Sequence, residues 1–275
     1  MPAWRDAGLV AAFMAGLVAA CGYTPARADD QSRQQQEQIC GRDEIARGTV
    51  AKIVDGRTFI LQDGREVRLA AIEIAPQGGA EAAGRAAATL DALAVGDQVV
   101  LRRAESGSDR YGRLLAYAYA VRDGEQFLLQ RELVADGLAR VSARVVSPCA
   151  RDLLDREKAA RDAKLGLWAD PYYDVLDAET AKDALAHRGR FALVEGKVAS
   201  VRESGPTIYV NFGRRRIGDI TVTILKRNER SFAAAGLDLR SLAGRRIRVR
   251  GWIEARGGDR AWIEAERPEQ IEMAD

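Results

Sequence analysis

Between residues 49 and 121, apolar positions recur at every second residue in short runs, interrupted by the pairs Asp55-Gly56 and Asp63-Gly64. That period belongs to strands, and Asp-Gly is a turn signal. It predicts strands over 49–54, 59–62, 67–73, 98–103 and 114–121. Residues 80–93 break the alternation with an alanine-rich run stopped by Gly96, which predicts a helix. Further on, spacings of three and four predict helices over 127–139 and 148–165. Glu157 falls on the apolar stripe of the second, so a buried carboxylate hydrogen-bonded to a loop is expected there rather than a catalytic one. Three strands, a helix, two strands and two helices fit a five-stranded Greek-key barrel of the OB type with packed helices.

The second half reads as another β-rich unit. Residues 170–189 form a linker with a short helix expected over 178–186, and strands are expected over 191–201, 208–212, 219–225, 246–253 and 261–266. Residues 231–242 are partly helical. A second small OB-type barrel over 190–275 is the expectation, making the chain a β-rich α+β protein. In its fourth strand Ile247, Val249 and Ile253 face one way, and Arg246, Arg248, Arg250 and Trp252 the other. That arginine face reads either as a phosphate-tracking groove or, preferably, as cross-strand pairing with Glu264 and Glu266. Tyr209, Phe212, Trp252 and Trp262 read either as base-stacking groups or, preferably, as packing.

The amino terminus alters the picture of where the chain works. The short apolar run LVAAFMAGLVAA behind Arg5 is too short to span a membrane and reads as an export signal over 1–28. Two processing sites compete. Ala26-Arg27-Ala28 suits an ordinary signal peptidase, whereas Val18-Ala19-Ala20-Cys21 suits a lipobox, with Cys21 acylated and the protein attached to a membrane by lipid. A polar lead-in, 29–46, follows, and the ordered body is expected over 47–169. Export implies the periplasm or cell envelope. Of three cysteines, Cys21 is removed or lipidated on either reading, and Cys40 and Cys149 remain, read preferably as one disulfide in an oxidising compartment and otherwise as two separate thiols.

Composition mainly excludes. A net charge of +2 is too small to signal nucleic-acid binding by itself, although residues 190–275 hold 17 basic against 12 acidic side chains. His187 is the only histidine and the cysteines lack zinc spacing, which argues against zinc hydrolases and histidine-based nucleophilic catalysis. Chemistry here rests on carboxylates, arginines and, at most, a hard cation.

The ordered motifs IVDGRTF, VRLAAIE, DRYGRLLAYAY, ELVADGLARV and EKAARDAKLGLW, between residues 49 and 168, resemble the staphylococcal nuclease (thermonuclease) family. The resemblance implies an OB barrel and calcium-dependent hydrolysis of DNA and RNA phosphodiesters. Two aspartates and a carbonyl would hold the ion, a glutamate would orient water, and two arginines would neutralise the phosphate. On that pattern Arg68 and Arg113 match the phosphate arginines. Arg110 and Tyr111 match neighbours that approach a terminal phosphate. Glu73 stands at the second metal aspartate.

The rest departs from the family pattern. The motif Asp-Gly-Asp-Thr is here Asp55-Gly56-Arg57-Thr58, so the first metal aspartate is Arg57. At roughly 4 Å and an effective dielectric near 20, each unit of charge changed at a cation is worth about 4 kcal/mol. Pro76 or Gln77 stands where the water-orienting glutamate would be, and Ala143 and Val145 replace two base-flanking tyrosines. The expectation is a family member that keeps contacts to nucleic acid or another anionic ligand, with hydrolysis lost or impaired and no resident cofactor. An ion pair between Arg57 and Glu73 is expected in the metal's place. Two alternatives stay open. One is an active calcium enzyme with a shifted site using Glu73 and Asp55 or Asp109. The other is a non-catalytic envelope adaptor for a protein or glycan partner of unknown identity, with no nucleic-acid role.

Overall fold

The computed structural model describes residues 40–41, 43–74, 80–145, 149–178, 185–213, 220–256 and 260–274. The export signal with Cys21, most of the lead-in, Pro76 and Gln77, and most of the expected 178–186 helix lie outside the described residues.

The first unit comprises β1 (Glu44–Asp55), β2 (Thr58–Leu61), β3 (Glu66–Leu69), β4 (Ile72–Glu73), α1 (Ala80–Ala94), β5 (Gln98–Ser108), β6 (Leu114–Arg122), β7 (Glu125–Leu128), α2 (Leu129–Ala135), β8 (Arg140–Val141) and α3 (Cys149–Asp162). Strand β1 pairs with β2 and β5, β2 with β3, and β5 with β6, all antiparallel; a parallel β3–β6 ladder closes the ring. This is the five-stranded barrel that the alternation predicts. Phe59, Leu61, Val67, Leu69, Val99 and Leu101 fill it. Helix α1 presents Ala82, Ala86, Leu90 and Ala94 inward at four-residue spacing. At Gly56 a Cβ would meet that of Ala86 at 2.7 Å, so glycine is what lets the β1–β2 turn sit under the helix.

Two expectations for this unit are corrected. The strand over 67–73 is broken: Ala71 takes φ +64°, and the chain leaves the barrel ladder to pair β4 with β8. The helix over 127–139 starts later, because Asp123 (φ +54°) and Gly124 (φ +85°) turn β6 into β7, and only then does α2 begin. An Asp-Gly hairpin signal stands in the sequence at that point. Cys40 and Cys149 are joined, as expected, tying the start of the described chain to α3.

The second unit holds β9 (Leu176–Asp177), β10 (Phe191–Lys197), β11 (Ser200–Ser204), β12 (Thr207–Asn211), β13 (Ile220–Leu225), α4 (Glu229–Ala234), β14 (Arg246–Trp252), β15 (Glu254–Arg256), β16 (Arg260–Glu264) and β17 (Ile271–Met273). It forms two sheets, in the orders β17-β14-β10-β9 and β11-β12-β13-β16-β15, over its own core of residues such as Val194, Val210, Val222, Phe232, Val249 and Ile263. The strand expected over 191–201 is two strands. The expected linker contributes β9 to the sheet.

The arginine face of β14 pairs within its own unit at Arg246 and Arg248 and meets the first unit, forming a seam, at Arg250. Arg246 and Arg248 bind Glu195 on β10, at 2.9 and 2.6 Å, and Arg248 also lies 3.5 Å from Glu272 on β17. Strand β14 pairs with β10 and β17, not with β16, so the expected pairing with Glu264 and Glu266 gives way to these partners. Arg250 is buried against the first unit. It donates to Glu157 at 3.0 and 2.9 Å, to Val141 O at 3.1 Å, and to Glu272. Glu157 also accepts the Val141 N–H, the loop bond expected of it. A small apolar cluster that includes Trp168, Tyr173, Phe191 and Leu193 completes the seam. The aromatic residues pack: Tyr209 meets Trp262 edge-on and Phe212 is buried, while Trp252 is half exposed beside Phe191.

Candidate anion-binding site

The β1–β2 turn carries the first group. Asp55 Oδ1 accepts the Arg57 N–H at 2.8 Å, holding the turn, and Arg57 O accepts the Leu69 N–H at 2.8 Å, holding it against β3. The Arg57 side chain is thereby aimed at β4. Its Nη1 donates to Glu73 Oε2 and to Ile72 O, both at 2.8 Å. Both side chains are largely shielded, at 19% and 26% exposure, so the expected ion pair is a fixed feature rather than a solvated one. The break at Ala71 is what makes it: with Ser142 N–H donating to Ala71 O, Glu73 is turned back toward Arg57.

Arg68 sits on β3 directly opposite Thr58 and donates to its Oγ1 at 3.3 Å; its nearest carboxylate oxygen, on Asp55, is 3.9 Å away. Burial, and then the charges of Arg57 and Arg113, push the Arg68 guanidinium below its ordinary pKa, against the pull of Asp55 and Glu73. It is a cation among cations, with weak compensation.

Arg113 is held on the turn between β5 and β6. Asp109 accepts from its Nε at 2.8 Å and lies 2.7 Å from its Nη2, and Glu66 lies 3.8 Å away. The Asp109 bond raises the Arg113 pKa. Tyr111, mostly exposed, has the Arg110 and Arg113 guanidiniums over its ring at 4.7 and 5.1 Å, and its hydroxyl accepts from Arg110 at 2.6 Å. The four sequence-predicted phosphate residues thus fall into two groups. Arg68 is recessed, and Arg113, Arg110 and Tyr111 form a cationic rim.

Arg57, Arg68 and Glu73 line a cavity of about 520 Å³. Its wall also contains Ser142 and Arg144 from the loop after β8, and Glu266 and Arg267 from the loop after β16. Sequence reasoning missed Arg144, Glu266 and Arg267. No local pattern carries their proximity: the β4–β8 ladder brings the loop with Arg144 to Glu73, and the packing of the second unit brings Glu266 and Arg267. Of the residues replacing the base-flanking tyrosines, Val145 is fully buried and Ala143 half-buried.

The donor set does not suit calcium. A calcium site needs six to eight oxygens around the ion. Here the Glu73 carboxylate and the adjoining Ile72 carbonyl already accept from a guanidinium that would repel a cation. Asp55 and Asp109, the other carboxylates considered, each hold a turn: Asp109 accepts the N–H groups of Tyr111 and Arg113. Among the described residues, no cluster of three or more carboxylate, histidine or cysteine side chains is arranged to hold a metal.

Comparison with known proteins agrees with this architecture. The family model described as staphylococcal nuclease homologue matches residues 66–170. The chain is 35% identical over 133 residues to a protein named micrococcal nuclease from Shigella flexneri, which covers 46% of this chain and 75% of that protein. It is 31% identical over 136 residues to a protein named ParB from Escherichia coli, covering 46% of this chain and 74% of the other.

Proposed function

The chain belongs to the staphylococcal nuclease homologue family, and from that premise we propose that it is an exported, envelope-located member. In this reading it binds phosphodiester, nucleic acid or another anionic group through Arg68, Arg113, Arg110 and Tyr111, with calcium-dependent hydrolysis lost or impaired. The observation that carries the reading is the Arg57–Glu73 ion pair. A guanidinium there removes a ligand, occupies a second, and adds a like charge beside any metal, while the recessed Arg68 is left with little compensating charge. No resident metal or cofactor is proposed.

Export is supported by the short apolar run behind Arg5 and by the Cys40–Cys149 disulfide, a bond favoured outside reducing compartments. The second unit is read as a further OB-type barrel, on the strength of its two sheets over one core.

The test is incubation of the purified mature protein with single-stranded DNA and RNA, in calcium, in other divalent ions and in chelator. The reading expects salt-dependent binding in chelator and no calcium-dependent cleavage. Metal-dependent cleavage that disappears in Arg113→Ala would favour a shifted metal site instead. Neither cleavage nor salt-dependent binding would favour an adaptor role.

A further inference from the structure

The outer face of the second unit's five-stranded sheet carries hydrogen-bonding groups that the fold leaves unused. On β12, β13 and β16 the alternation points Ile208, Val210, Val222 and Ile263 into the core. Tyr209, Asn211, Thr221, Thr223 and Trp262 take the opposite face. Thr223 stands between Tyr209 and Glu264, and Thr221 between Asn211 and Trp262. Tyr209 and Trp262 belong to the strands that flank β13, yet their ring centroids are 5.9 Å apart, edge to face. The rings therefore lean together over the two threonines, which is why Thr221 and Thr223 are buried although they point away from the core.

Thr221 is accounted for. Its Oγ1 donates to Asn211 Oδ1 at 3.1 Å, and the Asn211 amide donates to Ser200 Oγ at 3.3 Å. Thr223, only 5% exposed, is not: its Oγ1 has no hydrogen-bond partner, and neither has the buried Nε1 of Trp262 on the next strand. The Tyr209 hydroxyl makes no hydrogen bond among the described residues either. Buried polar groups are as a rule hydrogen-bonded, and one left over is costly unless something else satisfies it. Two such groups on adjacent strands, outside the core and under a pair of half-buried rings, mark a place where a ligand completes the bonding.

Charge and shape select the ligand class. The unused groups are neutral, and the charged residues of the Thr223 row stand at its two ends with opposite signs, Arg202 on β11 and Glu264 on β16. The face thus has no bias toward an anion. We infer that it is a binding site for a neutral oligosaccharide, a chain of β-linked pyranoses whose C–H faces lie on Tyr209 and Trp262. Its hydroxyls bond Thr223 Oγ1, Trp262 Nε1 and the Tyr209 hydroxyl. An aromatic ring presents a negative face, which suits the slightly positive C–H groups of a sugar. The indole N–H donates only, whereas the threonine and tyrosine hydroxyls both donate and accept, the mix that sugar hydroxyls need. The two rings must swing apart for a sugar to reach Thr223, a rotamer change of two half-buried side chains. None of these residues lines the cavity beside Arg68, so this inference stands or falls apart from the anion-binding reading.

The test is calorimetric titration of the full mature chain with two neutral tetrasaccharides, one of β-1,4-linked glucose and one of β-1,4-linked N-acetylglucosamine. A short oligothymidylate, with chelator present, represents the competing class. At least one tetrasaccharide is expected to bind saturably, one to one, with an affinity that salt does not change. Thr223→Val keeps the shape and removes only the unpartnered hydroxyl. It should leave the fold as stable or more so and weaken sugar binding about three- to ten-fold, the scale of one neutral hydrogen bond. Tyr209→Phe should weaken it by a similar factor, and Trp262→Ala should abolish it. If neither sugar binds at up to about 10 mM, or if Thr223→Val and Tyr209→Phe both bind as the wild type does, the proposal falls. Oligothymidylate binding weakened by Tyr209→Phe, with no sugar bound, would make this a nucleic-acid face and overturn it as well. Should Trp262→Ala melt below the wild type, the two conservative variants decide.

Discussion

Around the candidate site, a few side chains carry opposite demands. Asp109 is pulled both ways: burial raises its carboxyl pKa, but the Arg113 bond and the N–H groups of Tyr111 and Arg113 prevail and hold it below the usual carboxylate range. A depressed folded-state value means that its stabilisation is present above the unfolded aspartate pKa and is lost as pH falls through the folded one. The charge can be isolated with Asp109→Asn, since the asparagine oxygen still accepts the turn's N–H groups. The wild type should melt above the variant near pH 6, and the gap should close on acidification below about pH 4. A gap that stays constant down to pH 2 would show that the charge plays no part. At this scale the sequence was informative where chemistry is local. Arg57, Arg68 and Glu73 lie on one turn and its adjoining strands, so their meeting followed from the alternation and the family motifs. Arg144 and Arg267 were invisible, because only contacts between segments far apart in the sequence bring them to one cavity.

Among the elements, regular strands were legible and interruptions were not. The alternation located β2 and β6 closely, and the start of β5, which runs on to Ser108, because one face of each fills a core. It ran straight through β3 and β4, where Ala71 adopts a left-handed conformation with no glycine to announce it. That conformation disfavours residues with a Cβ by about 1–2 kcal/mol. Ala71→Gly should therefore stabilise the fold, offset in part by the glycine's greater freedom when unfolded, for a net gain of up to about 1 kcal/mol in chemical denaturation. A loss above about 1 kcal/mol would mean the methyl's packing outweighs the strain. The two- and three-residue strands β4, β8, β9 and β17 are set by tertiary contacts and are too short to carry a period. The β6–β7 hairpin is a different kind of miss: Asp123-Gly124 signalled it, but the apolar spacing that follows reads as helix.

For the whole molecule, the decisive contact is the buried charge cluster of Glu157, Arg250 and Glu272 at the seam. Arg250 is 1% exposed and the Glu157 side chain fully buried. Burial of such a pair does not by itself add stability, but removing one partner strands the other, at about 3–5 kcal/mol. Glu157→Gln should lower unfolding stability by that order, read from the denaturant midpoint at unchanged slope; a loss below about 1 kcal/mol would refute the view that this pair locks the units. The sequence marked Glu157 as a buried carboxylate and Arg250 as one of an arginine face. It gave no sign that they were partners, since one lies in each unit.

Arg57 stands where a cation would bind, paired with Glu73. Calorimetric titration of calcium into the wild type and into Arg57→Asp tests this most directly. No saturable heat is expected with the wild type at millimolar calcium, and a one-to-one isotherm with Arg57→Asp, where Glu73 is released and a second carboxylate faces it. One-to-one calcium binding by the wild type at micromolar affinity, lost in Glu73→Gln, would contradict it.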